Sequence, residues 1–330
     1  MKGFNISDIQ LKNRYVQAPM AGFSDVAMRI MAAKCGASMV YTEMISASAL
    51  ARGSLETEEM VRETKRDLVP VALQLFGSDP EELVKAIGIC ESIGKYDFLD
   101  FNLGCPVNKV LKQDAGAHLL KDFNKLYSLV RALVEHSHAP VIAKARMGFS
   151  DPDDCVKIVE VLQSAGVKAI AMHGRTRNEF YTGTPHYDLL RKAREACRVT
   201  FIANGNVTSE NSLEVLEQTQ ADALMIGRGA IGNPLVFKQL LAREEGSELP
   251  EITLEGQIAL LKEQLDLEYS RNVPAEKISV EFRAAAPAFF QGLKNSRKIR
   301  TLLVHCSSKE EYLEALDKAL IIGKGAEDDA

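Results

Sequence analysis

The sequence predicts a (β/α)8 TIM barrel followed by a small C-terminal all-helical domain, and three features carry that expectation. Short apolar runs recur eight times at fairly even spacing, each followed by a helical pattern. Most of these runs are apolar throughout, as strands are when a parallel sheet is covered on both faces. Beyond residue 250 the strand-like runs cease and only helical periodicity remains. Eight βα units point to a closed barrel, with a doubly wound open sheet as the structural alternative.

The first strand falls at residues 15–18, Tyr15-Val16-Gln17-Ala18. A helix follows over 24–34, with Ser24 or Asp25 as its N-cap and Gly36 as its stop. The other strands fall at 39–42, 69–75, 98–102, 141–144, 169–173, 199–203 and 223–226. Helices between them fall at 79–92, 124–136, 153–165, 187–196 and 209–219, where Asp79 and Ser209 read as caps and Gly166 as a stop. The last barrel helix covers 233–240. Gly246-Ser247-Glu248-Leu249-Pro250 reads as a linker. It divides a barrel domain at 1–245 from a helical domain at 246–330, whose helical patterns occupy 253–317. Residues 323–330 read as a frayed tail.

A chain of 330 residues suits one large barrel plus a modest second domain. No run approaches the ~18 apolar residues of a membrane span, and residues 1–10 lack the basic-then-apolar pattern of a secretory signal. The six cysteines form no C-x-x-C pair and are too sparse for a disulfide framework, so a reducing cytoplasm is the simplest location. The net charge of −5 gives no sign of nucleic acid; an RNA partner would need a local basic patch. No obligate protein partner is evident.

In a TIM barrel the chemistry sits where the strands end. Here the first strand runs into Pro19-Met20-Ala21-Gly22 and the second into Thr42-Glu43-Met44. The third reaches Gln74, the fourth Asn102 and Gly104-Cys105-Pro106, and the fifth Lys144 and Arg146. The sixth ends in His173-Gly174-Arg175, the seventh in Asn204-Gly205-Asn206 and the eighth in Gly227-Arg228-Gly229. Taken alone, Gln74 reads as a satisfied rim amide and His173 as a capped structural histidine. Lys144 is harder to dismiss, because a lysine in a barrel mouth needs an anionic partner. Adjacent strands 7 and 8 often bind phosphate in this fold. Their glycines admit backbone N–H groups to an anion and Arg228 adds charge. Residues 227–232 also match G-x-G-x-x-G, but no strand with an acidic residue follows about 20 positions on, so a dinucleotide fold is rejected. There is no H-E-x-x-H, zinc-spaced Cys/His cluster, P-loop or G-x-S-x-G, and no metal site is expected.

These segments resemble the tRNA-dihydrouridine synthase family across nearly the whole chain, the bacterial B-type branch being closest. The resemblance rests on Ala18-Pro19-Met20-Ala21-Gly22 with Ser24-Asp25, and on Gln74-Leu75-Phe76-Gly77-Ser78-Asp79-Pro80. It continues through Asn102-Leu103-Gly104-Cys105-Pro106-Val107-Asn108-Lys109-Val110, with Gly116 and Leu119-Leu120 downstream. His173-Gly174-Arg175-Thr176-Arg177 with Phe180-Tyr181-Thr182-Gly183 matches the sixth-strand loop. The segments around Asn204-Gly205-Asn206 and Gly227-Arg228-Gly229 match the phosphate loops. Two departures stand out: Asn206 replaces a usual acidic residue, and Ala284-Ala285-Ala286 follow Arg283 where basic and aromatic residues are usual.

The resemblance implies FMN as cofactor, NADPH or NADH as electron donor, and uridine in tRNA as substrate. It implies hydride transfer from flavin N5 to uracil C6 and a proton for C5. Cys105 fits the acid, since a free thiol has a pKa of about 8.5 and is mostly protonated at neutral pH. Pro19, Met20, Ala21, Gln74, Lys144, His173, Asn204, Gly205, Asn206, Gly227 and Arg228 would hold the flavin, with Lys144 facing the negative charge of its reduced form. Asn102, Arg146, Arg175 and Arg177 would meet the substrate. Lys294, Arg297, Lys298 and Arg300, the densest basic run of the tail, would meet the tRNA backbone. Phe289 and Phe290 read as core. Two alternatives stay open: another FMN barrel of the dihydroorotate dehydrogenase type, which would not need the basic tail, and a non-catalytic RNA-binding module, against which the Gln74, Cys105, Lys144 and His173 set argues.

Overall fold

Strands that are apolar on both faces are satisfied only inside a covered parallel sheet, and the computed structural model, which describes residues 2–323, closes them into a barrel. Its strands are β1 (Tyr15–Gln17), β2 (Val40–Ser46), β3 (Val71–Phe76), β4 (Phe98–Leu103), β5 (Val141–Arg146), β6 (Ala169–His173), β7 (Thr200–Asn204) and β8 (Ala223–Ile226). Neighbours pair in parallel from β2 round to β8, and β8 pairs with β1. A bridge between Val16 and Met39 completes the ring, with Gln17 N donating to Met39 O at 2.9 Å.

The outer layer is α1 (Val26–Lys34), α2 (Leu55–Arg62), α3 (Pro80–Ile93), α4 (Phe123–His136), α5 (Asp154–Ala165), α6 (Tyr187–Ala196), α7 (Ser212–Thr219) and α8 (Val236–Glu245). Local chemistry sets most of their ends. Asp25, not Ser24, caps α1, and its carboxylate accepts from Met28 N at 2.9 Å. Asp79 caps α3 in the same way, and Gly166 ends α5 at φ 107. Ser209 is not a cap: α7 starts at Ser212 behind Asn211, and the Ser209 hydroxyl donates to the Glu210 carboxylate. The expected helix over 233–240 is shifted, running from Val236 to Glu245, and Gly246 at φ 66 is its left-handed cap.

Sequence patterning missed a short antiparallel hairpin, Phe4–Ile6 with Ile9–Leu11, whose strands are too short for a periodic signal. Ile6 and Leu11 pack with Val16, Met39, Phe98, Ile142 and Ile202, so the hairpin plugs the barrel at the end where strands begin. It also missed α2 and a short helix, Ala47–Ala51, after β2.

The tail is all helical: α9 (Leu254–Tyr269), α10 (Ala275–Phe282), α11 (Ser296–Leu303) and α12 (Lys309–Gly323). It has its own apolar cluster, in which Leu261, Phe282, Phe289, Phe290, Ile299 and Tyr312 are buried. Gly323, expected in the frayed tail, instead closes α12; the rest of that expected tail, residues 324–330, lies outside the described residues. Gly232, last glycine of the rejected dinucleotide pattern, serves the meeting of barrel and tail. A Cβ there would sit 2.4 Å from the Ala288 carbonyl carbon, and its φ is +67. Among the described residues no helix is long and apolar enough to cross a membrane.

Arg271 ties tail to barrel. It bonds Glu63 at 2.9 Å, Asp25 at 3.2 Å and, on its own helix side, Glu268 at 2.9 Å, with all four side chains largely buried. Removing the one cation strands three carboxylates, a change that typically costs about 3–5 kcal/mol. Arg271→Ala should therefore lower the urea midpoint strongly, whereas Lys262→Ala, from an exposed pair with Asp317, should cost under ~1 kcal/mol. Equal midpoints for the two variants would remove Arg271 from this role.

Candidate active site at the barrel mouth

Side chains alternate along a strand, so each barrel strand sends every second residue inward. At the plugged end that inward set is apolar: Val16, Met39, Ala72, Phe98, Ile142, Ala169, Ile202 and Ala223. Continued by steps of two, it turns polar at Gln74, Asp100, Asn102, Lys144, Arg146, His173 and Asn204. Register sets Gln74 opposite Asp100, Asn102 opposite Lys144, and His173 opposite both Arg146 and Asn204.

One network links β3 and β4. Gln74 Nε2 donates to Asp100 Oδ2 at 2.5 Å, and Asn102 Nδ2 donates to Gln74 Oε1 at 2.7 Å. Asn102 Oδ1 accepts the backbone N–H groups of Gly104 at 3.1 Å and Cys105 at 2.9 Å. Cys105 is half-buried beside Phe76, Val110 and Ala115. Burial pushes its thiol up, so it is protonated at neutral pH.

Lys144 is half-buried in the mouth and makes no hydrogen bond or ion pair among the described residues. Burial, then nearby Arg146, pulls its pKa down to about 8, with Asp100 opposing them. Arg146 is buried and spends its donors on carbonyls: Gly104 at 2.9 Å, Thr176 at 2.7 Å and Phe180 at 2.7 Å. It pins the loop after β4 to the loop after β6.

A second network runs through His173. Arg175 Nη1 donates to His173 Nε2 at 3.3 Å, His173 Nδ1 faces Asn204 Oδ1 at 3.0 Å, and Asn204 Nδ2 donates to Met225 O at 2.9 Å. That order assigns the imidazole proton to Nδ1. Burial and then Lys144, Arg146 and Arg175 hold the ring neutral, well below the ordinary histidine range. Arg175 is fully buried and also holds the Thr182 and Gly183 carbonyls.

The ends of β7 and β8 form the third part. Gly205 has φ 132 and Asn206 φ 49, left-handed values that turn the chain sharply after β7. Asn206 Oδ1 accepts from Arg228 at 3.0 Å, and Arg228 makes no ion pair among the described residues. Gly227 lies close to Met20: a Cβ there would be 3.7 Å from its sulfur. The loop Pro19-Met20-Ala21 is partly exposed at the rim, held by Met20 N to Ser24 Oγ at 2.8 Å.

The expected site residues thus fall into two groups. Those from strand ends meet at one mouth, and Arg177 lies at its edge, donating to Asn108 at 3.0 Å. Lys294, just before α11, and Arg297, Lys298 and Arg300 on it are exposed, and no hydrogen bond or ion pair joins them to the mouth among the described residues. Two mouth residues escaped sequence reasoning. Asp100 had a signal, a charge inside an otherwise apolar strand. Tyr181 had none for its position: its ring lies 5.2 Å from the Arg146 guanidinium, 4.9 Å from that of Arg228, and edge-on to His173. A separate cavity of about 950 Å3 lies between barrel loops and tail, with Asp25, Glu43, Glu63, Glu268 and Arg271 in its wall. Its acidic wall is unsuited to phosphate, and it holds none of the thiol, lysine and histidine set.

The family model described as "Dihydrouridine synthase (Dus)" matches residues 16–322. The chain belongs to the dihydrouridine synthase family. It is 36% identical over 254 residues to tRNA-dihydrouridine synthase B of Vibrio vulnificus, covering 76% of this chain and 78% of that protein. It is 32% identical over 313 residues to an Aquifex aeolicus protein described as "Probable tRNA-dihydrouridine synthase", covering 93% and 96%. Among solved structures, morphinone reductase shares the fold, with TM-score 0.54 at 14% identity, covering 77% of this chain and 93% of that one. In this dihydrouridine synthase family member the barrel expectation therefore holds, and the residues named above are its strand-end set.

The His173 assignment has a pH consequence. The unfolded chain binds a proton near pH 6.5 that the folded chain refuses, so the contribution of this group is intact above that value and lost as pH falls toward the depressed folded one. Nitrogen NMR at pH 6 should show His173 neutral with its proton on Nδ1; an imidazolium signal would contradict the network.

Proposed function

We propose that this chain is a tRNA-dihydrouridine synthase that reduces uridine to 5,6-dihydrouridine with FMN, drawing electrons from NADPH or NADH. One observation carries the reading: a protonated thiol, Cys105, and a lysine without an anionic partner, Lys144, converge on one barrel mouth. The residues present fit FMN. Arg228 stands beside the turned backbone of Gly205, Asn206 and Gly227, a combination suited to phosphate. Gln74 keeps one spare N–H donor for a ring bearing carbonyls, while Asn102 spends its own on Gln74 and the Met44 sulfur, and Pro19, Met20 and Ala21 supply a rim. His173 and Asn204 complete the polar wall.

Bound FMN would supply the hydride that reaches C6 of the uracil. The chain's own residues do the rest. Cys105 gives its thiol proton to C5, and Asn102 holds the backbone that carries it. Lys144 keeps positive charge near the group being reduced. Arg146, bonded to the Gly104, Thr176 and Phe180 carbonyls, and Arg175, bonded to the Thr182 and Gly183 carbonyls, hold the loops after β4 and β6 in place beside the substrate. The target base must leave its stack to reach this depth. Arg177 and the exposed run Lys294, Arg297, Lys298 and Arg300 supply positive charge for the RNA backbone, which a chain of net charge −5 must gather locally. A tRNA substrate puts the reaction in the cytoplasm.

Two experiments test this. Cys105→Ala should leave donor-driven bleaching of the flavin near its normal rate in stopped flow. Dihydrouridine formed in tRNA, read by nucleoside mass spectrometry, should drop by ~10²–10⁴-fold, the span of losing a general acid. Near-normal yield in a single turnover would remove Cys105 from the mechanism. Arg228→Glu should weaken FMN retention sharply by reversing charge at the phosphate turn; unchanged affinity on titration would move the phosphate elsewhere.

A further inference from the structure

Asp100 is fully buried in β4, and its burial is poorly repaid. Oδ2 accepts one hydrogen bond, from Gln74, while Oδ1 has no partner among the described residues, nor has the hydroxyl of Tyr41 nearby. Lys144, on the adjacent strand, attracts the carboxylate without coming within ion-pair distance. A buried carboxyl with so little compensation is costly to keep, and pairing with a cation does not account for it.

The hydrogen bonds themselves give it a role. The N–H groups of Gly104 and Cys105 can only donate, so they fix Asn102 with Oδ1 toward them and Nδ2 away. Asn102 Nδ2 then requires Oε1 of Gln74, which turns Gln74 Nε2 toward the barrel floor. That amide needs an acceptor beneath it, and Asp100 Oδ2 is the acceptor. Protonation leaves the order unchanged. Burial raises Asp100 to about 8, but a proton on Oδ1, the free atom, still leaves Oδ2 to accept. We propose that Asp100 is a positioning residue that locks the direction of this relay from the floor of the barrel to the backbone of Cys105. It thereby commits Gln74 Oε1 to Asn102 and one Nε2 proton to Asp100, leaving the second Nε2 proton for a carbonyl-bearing ring.

The inference deepens the flavin reading and rests on it, so its test reads binding as well as turnover. What the relay needs at residue 100 is an acceptor, not a charge. Asp100→Asn keeps an acceptor oxygen and should hold FMN within about threefold of the native affinity; Asp100→Leu offers none and should lose about tenfold or more. If Asp100 acts through Gln74, the two losses do not multiply: Asp100→Leu should add little to Gln74→Leu in a double-mutant cycle on FMN affinity. The carbonyl stretches of bound FMN in Raman spectra should move in Asp100→Leu and stay in Asp100→Asn. Asn as damaging as Leu would show that charge matters, and multiplying losses would show independent action; either overturns the proposal. Should Asp100→Leu not fold, Gln74→Glu, read above pH 8 where Asp100 gives up its proton, sets two acceptors face to face. Adding Asp100→Asn should then restore the lost Tm, and no recovery overturns the relay. FMN affinity that follows this pattern while the native protein forms no dihydrouridine in tRNA would sink the functional reading and leave the relay standing.

Discussion

The barrel depends on its seam, and the seam depends on Gln17. Seven of the strand contacts are ladders of three or more residue pairs, but β1 meets β2 through one bridge, Val16 to Met39. The Gln17 side chain makes up the deficit from behind. Its Oε1 accepts from Tyr41 N at 3.1 Å, and its Nε2 donates to Ser24 Oγ at 2.7 Å. Ser24 in turn donates to Ala18 O and accepts from Met20 N. This buried amide thus reinforces the closure made by the backbone and shapes the Pro19-Met20-Ala21 rim. With the ring closed, alternation decides which residues look inward, so the site is a consequence of closure. Asp25, next in the chain, caps α1 and reaches Arg271, passing the constraint on to the tail.

Much of this was legible in the sequence, for physical reasons that can be named. Strands buried on both faces cannot afford polar alternation, so eight apolar runs announced a covered parallel sheet. Caps such as Asp79 and Gly166 act within a few residues and show in a short window. The hairpin at Phe4–Ile6 and Ile9–Leu11 did not show, because three residues span too little of a two-residue period to be distinguished. Ser209 misled because a capping side chain is identified by the N–H it faces, and this one faces Glu210 instead.

For the site, the sequence revealed which side chains stand at strand ends but not how their hydrogen bonds are spent. Arg146 and Arg228 look alike in sequence, each a cation just past an apolar strand. Arg146 donates to carbonyls 30 and 34 residues away in the loop after β6, whereas Arg228 stays exposed with one bond to Asn206. Only tertiary structure separates a pin from a contact. Asp100 was passed over for a related reason. A charge in an apolar strand reads as an exception until the amide above it is seen to need an acceptor.

The charges of the mouth can be understood together. Lys144, Arg146, Arg175 and Arg228 gather at the mouth of a chain whose net charge is negative, and of these Lys144 attracts the buried Asp100 carboxyl. Because Arg146 and Arg175 satisfy carbonyls, their charge is held in place without competing for ligand surface. That fixed field has two effects. Added to burial, it keeps His173 neutral, so the imidazole can accept from Arg175 and donate to Asn204. Burial, and after it Arg146, also lowers Lys144, so the lysine retains its proton most readily when negative charge enters the mouth. A site so arranged carries positive charge that no carboxylate at the mouth pairs with among the described residues, which supports the proposed anionic ligand. The same preorganisation leaves the acidic wall around Arg271 free to serve docking of the tail, since the two charge clusters belong to different layers of the fold.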